Sequence, residues 1–420
     1  MMETGLNEIL NELAAKGGKI SYLRDLRQRC TYLIERYPTL RESLNVIETY
    51  LLNQTQMFLD LKNVYDVNYV CGLSTGIYLF DEEKGDYCFN IVGGKKNRTS
   101  DEDLDFDYTF DLASITKFFT LLLLLKLEQD NIINFNTRVT DVCPMYIGLE
   151  DFTINDLIRM HGEIMTNGYM RYASDEQEAR EILKTAYLVS LRRDRNKYND
   201  FGPMILTDVI VETVRKIHPE LDSYDKVMDY YLFSPLQLEH THFSNKVHDP
   251  KSRLLNGISG HAGLFSNSSD ISGLAKSLFN LEYLDQEHLD RLGEITFPDD
   301  PKCNKGNMGM YIKHPRGLNY TFLPNEFSDL SVATQGWTGS VCTFDPKNKM
   351  HYSILTNAIY ECDNEEEVKN DKPYNYSAAF RNYQSSVTED IIAIYVIKKY
   401  FNDYMNIHEC IDNKMLIRSV

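Results

Sequence analysis

Apolar residues recur at helical intervals through the first sixty residues. Leu6, Ile9, Leu10 and Leu13 share one face after Thr4, and Gly17-Gly18 stops that helix. A second helix runs from about Ser21 to Tyr37, with Leu23, Leu26, Cys30 and Leu33 on one stripe and Pro38 as its break. A third opens at "TLRE", where Thr39 and Glu42 have the spacing of a capping box, and continues to about Leu61. The period then changes. "VCGLSTGIYLFD" and "DYCFNIVGG" read as two strands joined by the turn "EEKG". From Ser114 to about Leu238 the pattern is mainly helical, with loops at "CPMYIG" and "HGEIMTNGYMRYASDE". A helix over Ile271 to Phe279, strands at "MGMYIK", "SVCTFDP" and "HYSILTNAIY", and a closing helix from about Val387 to Phe401 follow.

Strands at both ends of the chain with helices between them predict one antiparallel sheet assembled from distant segments. The fold class is α/β (α+β): that sheet, flanking helices and a mostly helical insertion. The expected divisions are an N-terminal helical extension over 1–45, the first part of the sheet domain over 46–110, a mainly helical domain over 111–249 and the rest of the sheet domain over 250–420. The apolar faces of the N-terminal helices must be buried on their own domain or on another subunit, because short isolated helices are marginal in water. Self-association through them, as a homo-oligomer, is the expectation, with cover over part of the cleft as the alternative.

Composition narrows the partners. A net charge of -18 argues against nucleic acid and anionic membrane surfaces, since both need a positive field. The longest apolar run, Phe118 to Leu125, is closed by Lys126 and falls well short of the about 20 residues a membrane helix needs, so it reads as a buried core helix. The N-terminus has no basic region ahead of an apolar one, and no export signal is expected. Eight scattered cysteines without a CxxC pair read as free thiols in a reducing cytoplasm, with no metal. His240 and His242 have strand spacing, but nothing nearby completes a ligand set. The acidic runs "DEDLDFD" and "DNEEEVKND" read as solvated loops.

The candidate chemistry lies in "FDLASITKFFTLLLLLK". Ser114 and Lys117, three apart at a helix start, share a face. A serine hydroxyl needs a base, and a lysine in apolar surroundings has its pKa lowered enough to serve. The helix N-terminus favours an oxyanion. A second match, "SYDK" at Ser223 to Lys226, opens a polar helix and reads as an N-cap.

Context separates the two. The segment around Ser114 resembles the nucleophile segment of the serine β-lactamase-like family, which holds class C β-lactamases, DD-peptidases and related esterases. "YNDFGPMIL", "SPLQLEHTHF", "GISGHAGLFSNSSDISGLAKSLF" and "GWTGSVCTFDP" resemble later family segments in the family's order. The resemblance implies Ser114 as acyl-accepting nucleophile, Lys117 as its partner and Tyr198 as second base or acid, with no cofactor. Asp200 stands where the family more often has an amide, and a carboxylate there could keep Lys117 charged. The backbone N–H of Ser114 and an edge strand near residue 337 would form the oxyanion hole. The third family motif falls on Thr334, Gln335 and Gly336, or in another register on Trp337 to Gly339, and offers no cation in either. Met160 stands where a histidine is usual. Trp337 lines the acyl pocket or belongs to the core, and His261 reads as a buried, hydrogen-bonded loop residue. The function implied is a serine hydrolase acting through an acyl-enzyme on a small ester or amide, poor as a β-lactamase. The alternatives are a catalytically weak scaffold or sensor and an acyltransferase.

Overall fold

The three N-terminal stripes become α1 (Met2–Ala15), α2 (Leu23–Arg36) and α3 (Leu40–Asp60). Thr39 and Glu42 form the predicted capping box: the Glu42 N–H donates to Thr39 Oγ1 at 3.2 Å, and the Thr39 N–H to Glu42 Oε2 at 3.3 Å. The computed structural model describes residues 2–16, 23–60, 70–97, 100–191, 197–296, 305–313, 322–324, 326–358 and 378–418. Gly17-Gly18 and the acidic run at 363–371 lie outside the described residues.

β1 (Gly72–Leu79) and β2 (Tyr87–Gly94) form the predicted antiparallel pair. Short strands follow: β3 (Phe110–Asp111), the hairpin β4 (Gly162–Met165) and β5 (Tyr187–Leu191), then β6 (His242–Phe243) and β7 (Leu264–Ser266). β8 (Tyr311–Ile312), β9 (Val332–Gln335), β10 (Val341–Asp345), β11 (Met350–Thr356) and β12 (Ile411–Ile417) complete a seven-stranded sheet in the order β12-β2-β1-β11-β10-β9-β8.

The sheet is mixed, which corrects the all-antiparallel expectation: β12 pairs parallel with β2. The chain leaves β11, crosses one face through the helix Ala378–Tyr404 and returns in the same direction, as a helical crossover requires. The hairpin β4–β5 likewise lies where a loop and helix were expected, and the closing helix is longer than its apolar pattern suggested. Ser223 stands at the N-cap position of Tyr224–Met228, but its side chain makes no capping bond there.

Alternation along the strands divides the core in two. Leu73, Ile77 and Leu79 of β1 and Ala333 of β9 face α1–α3 and the helix Ala378–Tyr404. Tyr78, Val332, Phe344 and Leu355 face α4 (Thr116–Gln129) and the helices Phe201–Val214 and Ser268–Phe279. Every residue from Phe118 to Leu125 is buried, because a helix apolar on all sides fits only inside a core. Gly76 lets the helix Ser268–Phe279 close on the sheet: a Cβ there would stand 3.1 Å from Ser268 Cβ. The N-terminal helices bury their apolar faces on this same chain, so self-association through them loses the argument it rested on. No helix among the described residues is long and apolar enough to cross a membrane.

Candidate active site

Ser114 is held by a turn that few residues could make. Asp111 Oδ1 accepts from the Ala113 N–H at 2.8 Å, and Ala113 sits at φ 48°, in the left-handed region where a small side chain limits the strain. Asp111 Oδ2 accepts from both the backbone N–H and Nδ1–H of His248 at 2.8 Å. Burial lowers the pKa of His248, but the Asp111 carboxylate outweighs it and the net direction is up. The turn Ala113–Ile115 runs straight into α4, which places Ser114 ahead of the helix N-terminus. The end of β9 reaches this turn through Gly336, where a Cβ would meet the Leu112 carbonyl oxygen at 2.6 Å. Thr338 Oγ1 ties the same edge to the Asp111 carbonyl at 2.8 Å.

Lys117, 1% exposed, is the second residue of α4 and points back toward Ser114. Its ammonium donates to Ser114 Oγ at 2.9 Å and to the His261 carbonyl oxygen at 3.1 Å, and it stands 2.9 Å from Asp200 Oδ1. The Tyr198 hydroxyl donates to Ser114 Oγ at 2.9 Å, and the Tyr198 ring centroid lies 4.9 Å from the Lys117 ammonium. Gly309, at φ 72°, leaves room for that ring, since a Cβ there would meet Tyr198 Cδ2 at 2.5 Å. The Met160 carbonyl accepts from the Lys197 N–H at 3.1 Å, so the residue standing where the histidine was expected supports the tyrosine segment through its backbone.

Behind Lys117 runs a row of alternating charges. Asp200 also pairs with Lys251. Asp249 caps the helix Pro250–Leu254, accepting from the N–H groups of Lys251 and Ser252 at 2.9 Å, and stands 3.1 Å from His261 Nε2. His261 is buried and bonds Ser259 through Nδ1, as a loop residue of that kind should. Asp200, Asp249 and His261 bring three possible ligand atoms within 4.8 Å of one another. The ammonium groups of Lys117 and Lys251 already balance the two carboxylates, so the cluster reads as a closed charge row.

The electrostatics correct one expectation. Burial does pull the Lys117 pKa down, but the Asp200 carboxylate and then the Tyr198 oxygen more than offset it, and the net value lies above that of an ordinary lysine. Asp200 goes the other way: burial pushes it up, and Lys117, then His261 and Lys251, hold it well below the usual carboxylate range. Lys117 is therefore a fixed cation here, the second of the roles its neighbours allowed.

Of the third-motif residues, Thr334 shares the face of Val332, toward α4, and alternation turns Gln335 to the opposite face. Trp337 is 48% exposed, which excludes the core reading. Lys251 and Asp249 were missed by sequence reasoning. Their signal was faint, an Asp-Pro pair at a helix start.

The family model described as Beta-lactamase matches residues 71–370. The chain belongs to the beta-lactamase family. A putative D-alanyl-D-alanine carboxypeptidase of Escherichia coli (strain K12) is 25% identical over 313 residues, 59% of this chain and 68% of that protein. An N-acetylmuramyl-L-alanine amidase of Bacillus subtilis (strain 168) is 24% identical over 308 residues, 59% of this chain and 67% of that one. Among solved structures, a class C beta-lactamase superposes with a TM-score of 0.58 at 13% identity, covering 81% of this chain and 96% of its own. Homologues in the beta-lactamase family are serine hydrolases, and this chain has their fold.

Proposed function

We propose that this beta-lactamase-family protein forms a covalent acyl-enzyme at Ser114 on a small ester or amide. The observation that carries the reading is that Ser114 Oγ lies 2.9 Å from both the Lys117 ammonium and the Tyr198 hydroxyl. Asp200 keeps Lys117 charged, so the tyrosine oxygen is the group that takes the serine proton as Oγ attacks the carbonyl: Tyr198 enters the step as a phenolate held by the neighbouring ammonium, its own proton already released to solvent, and leaves it as a phenol. The same oxygen then returns the proton to the leaving alcohol or amine. The backbone N–H of Ser114 and the strand end near Trp337 supply the oxyanion donors. The carboxypeptidase and amidase names of the relatives support an acyl substrate. A reducing, cytoplasmic setting is part of the reading, and the free thiols of Cys30, Cys88, Cys143, Cys342 and Cys410 fit it.

A fluorophosphonate probe followed by intact mass spectrometry tests this. One adduct is expected at Ser114, with Ser114→Ala lowering esterase activity by at least ~10³-fold. Labelling at Ser223, or none, would sink the reading and favour a scaffold. Short p-nitrophenyl esters should be hydrolysed and chromogenic cephalosporins turned over poorly. Thr334, Gln335, Gly336 and Trp337 offer a substrate carboxylate no cation, and the lost charge-assisted bond is worth about 1.5–3 kcal/mol.

A further inference from the structure

At the end of the sheet away from Ser114, a cleft of about 400 Å³ opens between the end of β1, the turn into β2, the β10–β11 turn and the helix Ala378–Tyr404. The first residue of β1, Gly72, donates to Asn357 Oδ1, next to the strand ends that hold the Ser114 turn. Its last residue, Leu79, lines the cleft. The eight-residue strand between them separates the two places by about 23 Å.

Six lysines line this cleft in a chain of net charge -18. Four are engaged: Lys84 with Asp403, Lys16 and Lys399 with Glu12, and Lys347 with Asp329. Among the described residues, Lys349 and Lys398 have no carboxylate at ion-pair distance. The Lys349 ammonium lies 4.7 Å from the Phe80 ring centroid. Lys398 is 3% exposed and donates to the Glu409 carbonyl oxygen at 3.2 Å, which leaves donor capacity unused. Beside it Asn402, also 3% exposed, has no partner for its amide oxygen, and neither does Asn348 at 7%. Buried polar atoms without partners are rare, and here three incompletely satisfied groups line one cleft. An ammonium on which the carboxylates of Asp81 and Asp86 act only from beyond ion-pair distance, and amide oxygens lacking donors, call for a ligand with both an anionic group and hydroxyls. The exposed Glu82 and Glu83 at the rim disfavour a bare polyanion and accept hydroxyls as well.

We propose that this cleft binds a small phosphorylated polyol, with its phosphate against Lys398 and Lys349 and its hydroxyls against Asn402 and Asn348. Isothermal titration calorimetry on the full chain at low ionic strength tests it, with glucose 6-phosphate, inorganic phosphate and glucose as probes. One site is expected, with glucose 6-phosphate bound roughly tenfold or more tighter than either fragment, since each fragment forfeits the other's bonds. Lys398→Met and Asn402→Leu should each weaken it by about tenfold. Lys349→Gln alters a half-buried side chain and keeps the test open if the Lys398 variant does not fold. No heat with any probe overturns the proposal. So do equal affinities for glucose 6-phosphate and inorganic phosphate, or binding unchanged in Lys349→Gln and in every other variant that folds.

Discussion

Asp200, beside Ser114, and Asp390, on the helix behind the sheet, are both pushed up by burial and paired with a cation, yet their net shifts run in opposite directions. Asp390 is 0% exposed, with one oxygen bonded to Arg29 and the other without a partner, and Arg29 itself is 31% exposed. Burial wins there, and the Asp390 pKa is pushed up to about 7. Asp200 keeps 26% of its side chain exposed and receives Lys117 on one oxygen and Lys251 on the other. The cations win, and its pKa falls well below the usual range. Burial alone does not decide the charge of a carboxylate. The number of donors on its two oxygens, and how far those donors are themselves withdrawn from water, decides it.

The largest effect should come from emptying the two positions. Asp200→Leu leaves Lys117, 1% exposed, without its counter-charge, and breaking a buried pair from one side costs about 3–5 kcal/mol. Asp390→Leu leaves only Arg29, whose guanidinium already reaches water, and is expected to cost less than about 1.5 kcal/mol. Urea denaturation of the two variants at pH 8 measures both. Equal losses would mean that the two pairs do not differ in kind.

How far this contrast was legible beforehand depends on sequence distance. The Ser114–Lys117 contact is a three-residue step from a tight turn into the helix it opens, and the Thr39–Glu42 box is equally local, so spacing was enough for both. The β1–β2 hairpin needed only alternation and a turn. The Asp200–Lys251 pair spans 51 residues, and neither residue repeats with a period that would mark it. β12 was invisible for another reason. It is a half-solvated edge strand whose interior positions are largely exposed, and its parallel pairing depends on a crossover helix rather than on its own residues. The charge of Lys117 was ambiguous for the same cause. The apolar run argued for a lowered pKa, and only the three-dimensional approach of Asp200 reverses it.

A smaller change sharpens the role of the second cation. Lys251→Met gives the whole Asp200 charge to Lys117 and removes a repelling ammonium, so Lys117 holds its proton more strongly and Asp200 gains protons more easily. The acid limb of the ester kcat/KM profile should then move to higher pH by about one unit, as expected when one charge leaves a partly buried row. Lys251→Arg keeps the charge and should hold the limb in place. A profile that moves equally in both variants would assign Lys251 a packing role only.

The change that isolates Asp390 is read in stability against pH. Its folded pKa of about 7 lies above the ordinary carboxylate value, so between about pH 4 and 7 the folded chain holds a proton that the unfolded chain has released. Stability from this group is therefore highest below the unfolded value, falls as pH rises and reaches its floor above the folded pKa. The slope approaches about 1.4 kcal/mol per pH unit at its steepest. Asp390→Asn removes the titration while keeping the shape and an acceptor for Arg29. Subtracting the variant's unfolding free energy from that of the unaltered chain cancels the other titrating groups. The difference should be near zero below about pH 4, grow from there to about pH 7 and favour the variant at pH 8, an asparagine outperforming an ion-paired aspartate. If Asp390→Asn is instead the less stable protein at pH 8, the Arg29 pair outweighs burial after all, and the two aspartates obey one rule.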